Sequence, residues 1–226
     1  PLGSKELVQN FRGLHALPLD DFIPIWNVVF DPTTTEQIMM EKQWVNTYHP
    51  PHFAKILPAP NATLADTPII QRIIHNVLAN DSACVDRFIN WLAYIFQNRT
   101  KTGTTWLLHG IEGTGKGLLF SKIITPLFGA DYCLSVTDDS IREKFNEYRH
   151  QKLFILIDEI NLENGSSRAG DSNANNKLKS LITESETSIR AMRVSPVRTT
   201  CYDNILLASN DRTPITITEN NRRVNV

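Results

Sequence analysis

The chain has 226 residues, of which 41% are hydrophobic, and its formal net charge is −1. This length suits one large domain or two small ones with a buried core. The near-neutral charge excludes a generally basic protein that coats nucleic acid, so any contact with a phosphate backbone must come from a local patch. No apolar run approaches the roughly 20 residues that span a bilayer, and no signal peptide is recognisable.

The N-terminal quarter of the chain is rich in proline. Residues 1–4, PLGS, have the form of a remnant left by cleavage of a purification tag and are not expected to belong to the fold. The first sixty residues carry eight of the twelve prolines, which disfavour long helices and favour extended segments. We therefore predict that residues 5–60 form an irregular arm with one short strand around Trp26, Val28 and Phe30.

Two amphipathic helices are predicted next, as a small helical domain over residues 61–102. In the first helix Asp66 or Thr67 can cap the first turn, and Pro68 suits that turn. Asp81 is placed as the N-cap of the second. The apolar stripes, which we expect to pack against each other, consist of Ile69, Ile70, Ile73, Ile74, Val77 and Leu78 in the first helix and Val85, Phe88, Ile89, Leu92, Ile95 and Phe96 in the second.

From residue 103 to residue 226 the pattern is that of one α/β core. Apolar strands are predicted at 106–108, 132–136, 153–159 and 204–210, and helices at 115–129 and 137–151. Residues 163–176 are predicted to be a polar loop. Short apolar strands that alternate with helices indicate a parallel sheet covered on both faces.

The segment HGIEGTGKG, residues 109–117, carries most of a phosphate-binding loop. Its glycines and lysine have the spacing of the G-x-x-x-x-G-K-[ST] signature, and the loop stands between a predicted strand and a predicted helix, as that signature requires. Backbone N–H groups in such a loop cradle phosphates. At the position of the usual metal-binding hydroxyl the chain has glycine. The candidate nucleotide-binding residues are Gly110, Gly113, Thr114, Gly115, Lys116 and Gly117.

The strand LFILIDE ends in two acidic residues that are candidates for the metal and the base. Ligands of open α/β sheets bind at the carboxyl ends of strands. Asp158 is expected to hold Mg²⁺ together with phosphate oxygens and water, because Mg²⁺ needs only one or two protein carboxylates. Glu159 is placed to orient or deprotonate the attacking water. Thr114 and Ser121 are weaker candidates for the hydroxyl that Gly117 lacks.

Further polar residues complete a candidate site. Asn210 ends the apolar strand NILLASN and can bind a γ-phosphate or the attacking water, although a strand cap is the simpler interpretation. Arg222 and Arg223 can stabilise charge on a transferring phosphate, or form a solvated basic pair. Residues 187–204 predict a hairpin that turns at Ser195 and Pro196. Its arginines are Arg190, Arg193 and Arg198. They can bind a nucleic-acid backbone, or the hairpin can be an ordinary surface element that faces solvent.

The cysteines predict neither disulfides nor a metal site. Cys84, Cys133 and Cys201 are odd in number, lie far apart and form no C-x-x-C pair. This is typical of reduced thiols in a cytosolic protein. His49 and His52 stand among prolines without a further ligand nearby, so they do not indicate a metal site either.

The order of these elements resembles that of the superfamily 3 helicases of viruses and phages. The form GTGKG is closest to the helicase part of multifunctional phage primase-polymerases, such as those of deep-sea vent phages. The resemblance covers residues 104–226 well, the helix pair loosely and the arm hardly at all. It implies an AAA+-like core that continues beyond Val226, a helical collar and ATP hydrolysis in a ring, expected to be a hexamer.

The resemblance also implies roles for single residues. Lys116 and its loop correspond to Walker A, Asp158 and Glu159 to Walker B, Asn210 to the sensor, and Arg222 or Arg223 to the arginine finger. The hairpin would touch DNA in the central channel. Pro214, Ile215 and Ile217 suggest an extended chain after Asn210, so we expect the finger to act on a neighbouring subunit, with Arg223 preferred.

The predicted function is therefore an ATP- and Mg²⁺-dependent DNA helicase or translocase, joined to a primase-polymerase domain and located in the cytoplasm of the infected host cell. Two alternatives stay open at this stage. One is a P-loop ATPase or phosphotransferase without a nucleic-acid role, which gives no reason for the basic hairpin. The other is an oligomerisation module with weak nucleotide binding, which Gly117 favours.

Overall fold

The computed structural model describes residues 26–57, 59–143, 145–162, 171–190, 196–217 and 221–226. The chain divides into two compact units, Pro1–His49 and Pro50–Val226. None of the helices in these described ranges combines the length and apolar character that crossing a bilayer requires.

The described part of the first unit contains a small three-stranded sheet. Its strands are β1 (Asn27–Val29), β2 (Ile38–Met39) and β3 (Trp44–Asn46), with β3 in the middle, parallel to β1 and antiparallel to β2. The buried side chain of Asn46 ties the turn after β1 to this sheet, because its Nδ2 donates to Asp31 O at 2.8 Å. The predicted strand at Val28 is confirmed, whereas β2 and β3 were not predicted in the arm, since two or three residues are too few to show an alternating pattern.

The second unit is built on a parallel sheet, as predicted. Its strands are β4 (Thr105–His109), β5 (Cys133–Thr137), β6 (Phe154–Asp158), β7 (Glu186–Ile189), β8 (Val197–Thr200), β9 (Asn204–Ser209) and β10 (Val224–Asn225). The parallel sheet has the order β10-β4-β9-β6-β5, and β7 and β8 form a separate antiparallel hairpin. β9 lies between β4 and β6. β4 leads into the glycine loop, residues 110–117, and β6 leads into the acidic pair, Asp158 and Glu159.

The helices of the second unit include α1 (Pro68–Val77), α2 (Ser82–Asn98), α3 (residues 116–128), α4 (Asp139–Arg142) and α5 (Asp171–Thr183). The middle of α3, Leu119–Ile124, is π-helical. The predicted starts of the first two helices are confirmed, because Pro68 stands in the first turn of α1 and the Asp81 carboxylate accepts a hydrogen bond from Cys84 N at 3.0 Å.

The core of the second unit lies between the sheet and its helices. α2 packs directly on the sheet: the ring of Phe88 meets Trp106 edge-on at a centroid distance of 5.2 Å, and Trp91 meets Phe154 at 5.5 Å. On α1, by contrast, Ile74 is buried while Ile69 is 67% exposed, so only part of the predicted stripe faces the core. The domain boundaries after residues 60 and 102 remain predictions.

The predicted helix over residues 137–151 is wrong. The structure has only the short α4 and a single 3₁₀ turn, Glu147–Arg149, in the described part of this segment. Tertiary contacts override the helical pattern here, because the guanidinium of Arg149 is drawn into the core to pair with the buried Asp203 at 3.0 Å. Lys101 also contacts this carboxylate, at 3.4 Å.

The three cysteines are free, as predicted; Cys133 and Cys201 are buried, whereas Cys84 is only partly buried. Burial raises the pKa of the Cys133 thiol to about 12, and burial also raises the pKa of Cys201. Because the thiolate is the reactive form of cysteine, neither side chain is suited to nucleophilic or redox chemistry.

Candidate nucleotide site at the carboxyl edge of the sheet

The carboxyl ends of β4, β9 and β6 bring the predicted site together at one edge of the sheet. These strands are parallel neighbours, with His109 opposite Ser209 and Ile157 opposite Leu207. The glycine loop follows β4, Asn210 follows β9, and Asp158 is the last residue of β6, with Glu159 directly after it. Ligands of open α/β sheets bind at this edge.

The glycine loop has a backbone that side chains would strain. Gly113 and Gly115 have φ of +80° and +98°, in the left-handed region that favours glycine. Gly115 is the N-cap of α3, and its carbonyl accepts a hydrogen bond from Leu119 N at 2.9 Å. The loop therefore turns sharply and leads straight into α3, which leaves its backbone accessible to an anion.

Lys116 lies at the centre of this edge. Its Nζ donates to Gly110 O at 2.7 Å and to Ile111 O at 3.1 Å, within the loop. The same ammonium donates to Asn210 Oδ1 at 3.0 Å, across the neighbouring strand end. The structure thus brings the predicted phosphate-binding lysine and the predicted sensor residue into direct contact, although they stand 94 positions apart in sequence.

The acidic pair ends β6 in a constrained turn. Asp158 is half-buried, and its Oδ1 accepts a hydrogen bond from Glu159 N at 3.0 Å. Glu159 is exposed and has a φ of +54°, an uncommon conformation for a residue with a side chain. Such a conformation costs on the order of 1 kcal/mol or more and is often held in place at functional sites.

The ends of β6 and β9 are locked together by a polar network that the sequence did not reveal. The buried Ser209 donates through Oγ to Ile160 O at 2.8 Å, and Ile160 N donates to Ala208 O at 3.0 Å. Asn161 Nδ2 donates to Asp211 Oδ2 at 2.5 Å. On one strand end Ser209 and Asp211 flank Asn210, and on the other Ile160 and Asn161 follow Glu159, so these bonds hold the backbone next to both candidates. The only feature of the sequence that points to this network is that polar residues follow two apolar strands.

The residues present fit a magnesium nucleotide that supplies most of the metal ligands. Within the described part of the chain no group of three or more His, Cys, Asp or Glu side chains is arranged to hold a metal. Asp158 offers one carboxylate at this edge, which suffices for Mg²⁺ when phosphate oxygens and water complete the shell. Thr114 Oγ1 is already engaged with Ile111 O at 3.1 Å.

Gly117 leaves open space where the usual hydroxyl would stand. A Cβ added at this exposed position would meet no atom within 4 Å. The absence of the side chain is therefore not forced by crowding within this chain.

The paired arginines do not reach this edge of their own chain. The carbonyl of Arg223 accepts a hydrogen bond from Thr105 N at 2.7 Å, and β10 then runs parallel to β4 with Val224 opposite Thr105. Arg222 and Arg223 therefore lie at the amino end of β4, whereas Lys116 lies beyond its carboxyl end. Between Asn210 and Arg223 the chain has returned to the opposite edge of the sheet.

The predicted basic hairpin is present and is anchored to the body of the unit. Asn146 Nδ2 donates to Ser188 O at 3.1 Å, and its Oδ1 accepts from Arg190 N at 2.7 Å. The exposed Arg198 pairs with Glu186 on the opposite strand. Arg193 lies outside the described residues.

The comparison with known families and structures agrees with this architecture. Residues 108–223, more than half of the chain, match the family of unknown function DUF5906, and the chain belongs to that family. A curated relative, the DNA primase-polymerase of Nitratiruptor phage NrS-1, is 28% identical over 218 residues, which are 96% of this chain and 29% of that protein.

Solved structures extend the similarity to the fold. An apo structure of the NrS-1 C-terminal region matches with a TM-score of 0.79 and 26% identity, over 99% of this chain and 52% of that one. A second apo structure of the same region matches with a TM-score of 0.74 and 25% identity, over 99% of this chain and 51% of that one. The chain is thus homologous to the C-terminal region of a phage primase-polymerase and spans less than a third of that protein. Its assignment to superfamily 3 stays a prediction.

Proposed function

We propose that this chain is the ATP-hydrolysing motor of a phage replication protein and that it drives translocation on DNA or unwinding of DNA. The observation that carries the proposal is the bond of 3.0 Å between Lys116 Nζ and Asn210 Oδ1. This bond joins the proposed phosphate-binding loop after β4 to the end of the neighbouring strand, β9. The next strand in the sheet is β6, which leads into the acidic pair. A loop that bound phosphate only as a passive anchor would have no need of this second strand.

The residues at the carboxyl edge divide the chemistry of phosphoryl transfer among them. The loop backbone and Lys116 bind and orient the phosphates of ATP, and Asp158 holds Mg²⁺, which neutralises phosphate charge when it is bound. Glu159 accepts a proton from the attacking water. Asn210, held next to Lys116, orients the terminal phosphate or that water.

The motor is proposed to work as a ring, expected to be a hexamer. Arg222 and Arg223 lie at the edge of the sheet opposite Lys116. An arginine there cannot complete its own site, whereas it can reach the site of a neighbouring subunit. An arginine supplied in this way stabilises the charge that develops on the transferring phosphate.

The remaining parts of the proposal concern DNA and the rest of the protein. Arg190, Arg193 and Arg198 give the hairpin a basic character that suits a sugar–phosphate backbone. Because the relative is a primase-polymerase of which this chain matches 29%, we propose that a primase-polymerase domain is linked to this module and that both act in the cytoplasm of the host cell.

The rate of ATP hydrolysis with and without single-stranded DNA tests this function. A DNA motor should hydrolyse ATP in the presence of Mg²⁺ and turn over faster when single-stranded DNA is added. Turnover that DNA does not change would favour an ATPase or phosphotransferase without a nucleic-acid role. Absence of turnover in the assembled protein would favour an oligomerisation module.

A further inference from the structure

A cavity borders the glycine loop on the side of helix α1. It has a volume of about 550 Å³, which lies within the usual range of small-molecule sites, roughly 300–1,000 Å³. The loop contributes Gly113, Thr114 and Gly115, and Leu118 of α3 adds an apolar wall. The opposite wall is the face of α1 that carries Gln71, Arg72, His75 and Asn76.

The two walls are held together by direct contacts, so the cavity does not depend on a chance approach of two elements. Asn76 Nδ2 donates to Thr114 O at 2.6 Å, across 38 positions of sequence. A Cβ added at Gly115 would be in ordinary van der Waals contact with Val77 Cγ2, at 3.6 Å, so the loop passes close to α1. The φ of +98° at Gly115 would strain any residue that carried a side chain.

Three of the four polar side chains in the wall of α1 have no partner within the described part of the chain, whereas Asn76 bonds the loop. Within the described residues, neither Gln71, Arg72 nor His75 makes a side-chain hydrogen bond or ion pair. The amide of Gln71 can both donate and accept, as the edge of a nucleobase requires. The guanidinium of Arg72 is a planar cation that stacks on aromatic faces. Leu118, which is 50% exposed, offers apolar area to a base or a ribose.

The position of the cavity along the glycine loop indicates which part of a nucleotide the cavity would bind. The Nζ of Lys116 donates to Gly110 O and to Asn210 Oδ1, and it also lies 3.4 Å from Thr114 Oγ1. Thr114 also lines the cavity, together with Gly113 and Gly115, so the cavity adjoins the part of the loop that Lys116 contacts. A triphosphate chain bound along the loop therefore leads from the carboxyl edge of the sheet towards α1.

We infer that this cavity is the nucleoside subsite and that α1 reads the base and ribose of the bound triphosphate through Gln71 and Arg72. The inference rests on the proposed function, since it assigns the second half of the same ligand. It predicts that the chain distinguishes a nucleoside triphosphate from a bare polyphosphate of equal charge. It also assigns α1 a binding role besides its contribution to the core.

Calorimetric titration of the chain with ATP and with inorganic tripolyphosphate, both in the presence of Mg²⁺, tests the subsite. The double variant Gln71→Ala/Arg72→Ala should bind ATP roughly tenfold more weakly, a loss of about 1.4 kcal/mol. Its affinity for tripolyphosphate should match that of the unchanged chain, which also shows that the variant is folded. Arg87→Ala, on the exposed side of α2, is the matched control and should bind both probes normally.

Three results would overturn the inference. If the unchanged chain binds tripolyphosphate as tightly as ATP, the subsite is absent while the proposed phosphate site survives. If the double variant loses affinity for both probes equally, or for neither, α1 does not read the nucleoside. Failure of the unchanged chain to bind either probe would remove the proposed function and the subsite together.

Discussion

Gly117 stands where the phosphate-loop signature has a hydroxyl residue, and the structure leaves room for a side chain there. Gly117→Ser should therefore fold normally and retain or tighten the binding of ATP with Mg²⁺, because serine adds an oxygen near the phosphates. Asp158→Ala should weaken this binding, since it removes the carboxylate proposed for the metal. Titration with ATP at several Mg²⁺ concentrations measures both effects. An unchanged Mg²⁺ dependence in Asp158→Ala would exclude that residue as the ligand.

Glu159 is the proposed base, and its left-handed backbone is part of how the turn after β6 presents the side chain. Glu159→Gln should bind ATP but hydrolyse it about 10²–10⁴-fold more slowly, because the amide keeps the shape of the side chain and cannot accept the proton. Steady-state turnover and equilibrium binding, measured on the same preparation, separate the two properties. Glu147→Gln, at another exposed site, is the control. Near-normal turnover by Glu159→Gln would remove this residue from its role.

At the scale of elements, the hairpin of β7 and β8 is the proposed contact with DNA. Its arginines are not equivalent, because Arg198 is paired with Glu186 whereas Arg190 has an exposed side chain and bonds Asn146 only through its backbone. Arg193→Ala should weaken binding to all DNA sequences and reduce the slope of log affinity against log salt by about one. Glu186→Gln should tighten DNA binding, since it releases Arg198.

Fluorescence anisotropy of labelled single-stranded DNA over a range of salt concentrations measures these changes. ATP hydrolysis without DNA should be unaffected in both variants, and Arg87→Ala should bind DNA normally. If the triple variant Arg190→Ala/Arg193→Ala/Arg198→Ala retains full DNA affinity, the hairpin is an ordinary surface element.

The elements also show how far the sequence determines this structure. Continuous apolar runs identified β4, β6 and β9, and because the carboxyl ends of parallel strands meet, the motif spacing placed Lys116, Asp158 and Asn210 at one edge. The pattern over residues 137–151 indicated a helix, but the buried ion pair of Arg149 with Asp203 prevents it. The contact of α1 with the loop was not predictable either, because it joins residues that lie 38 positions apart, as in the hydrogen bond of Asn76 with Thr114.

For the whole molecule, the structure separates the two halves of the proposed catalytic site. Arg223 and Lys116 lie beyond opposite ends of β4, a strand whose ends are roughly 13 Å apart, which supports the proposal that the arginine finger comes from a neighbour. Arg223→Ala should bind ATP but hydrolyse it about 10³–10⁵-fold more slowly. Mixing it with Lys116→Ala should restore part of the activity, because some interfaces then combine an intact loop with an intact finger.

The ATPase rate of the mixture, compared with the rates of the separate variants, measures this rescue. Co-purification of differently tagged variants provides the control for assembly. No rescue in subunits that co-assemble, or full turnover by a monomer, would contradict action between subunits.

The central claim is that the edge around Lys116 hydrolyses ATP, and steady-state hydrolysis by Lys116→Ala tests it most directly. Lys122→Ala, an exposed lysine further along α3, is the matched control. The proposed function predicts Mg²⁺-dependent turnover by the unchanged chain and by Lys122→Ala, and none above background by Lys116→Ala. Equal turnover by Lys116→Ala and the unchanged chain would contradict it.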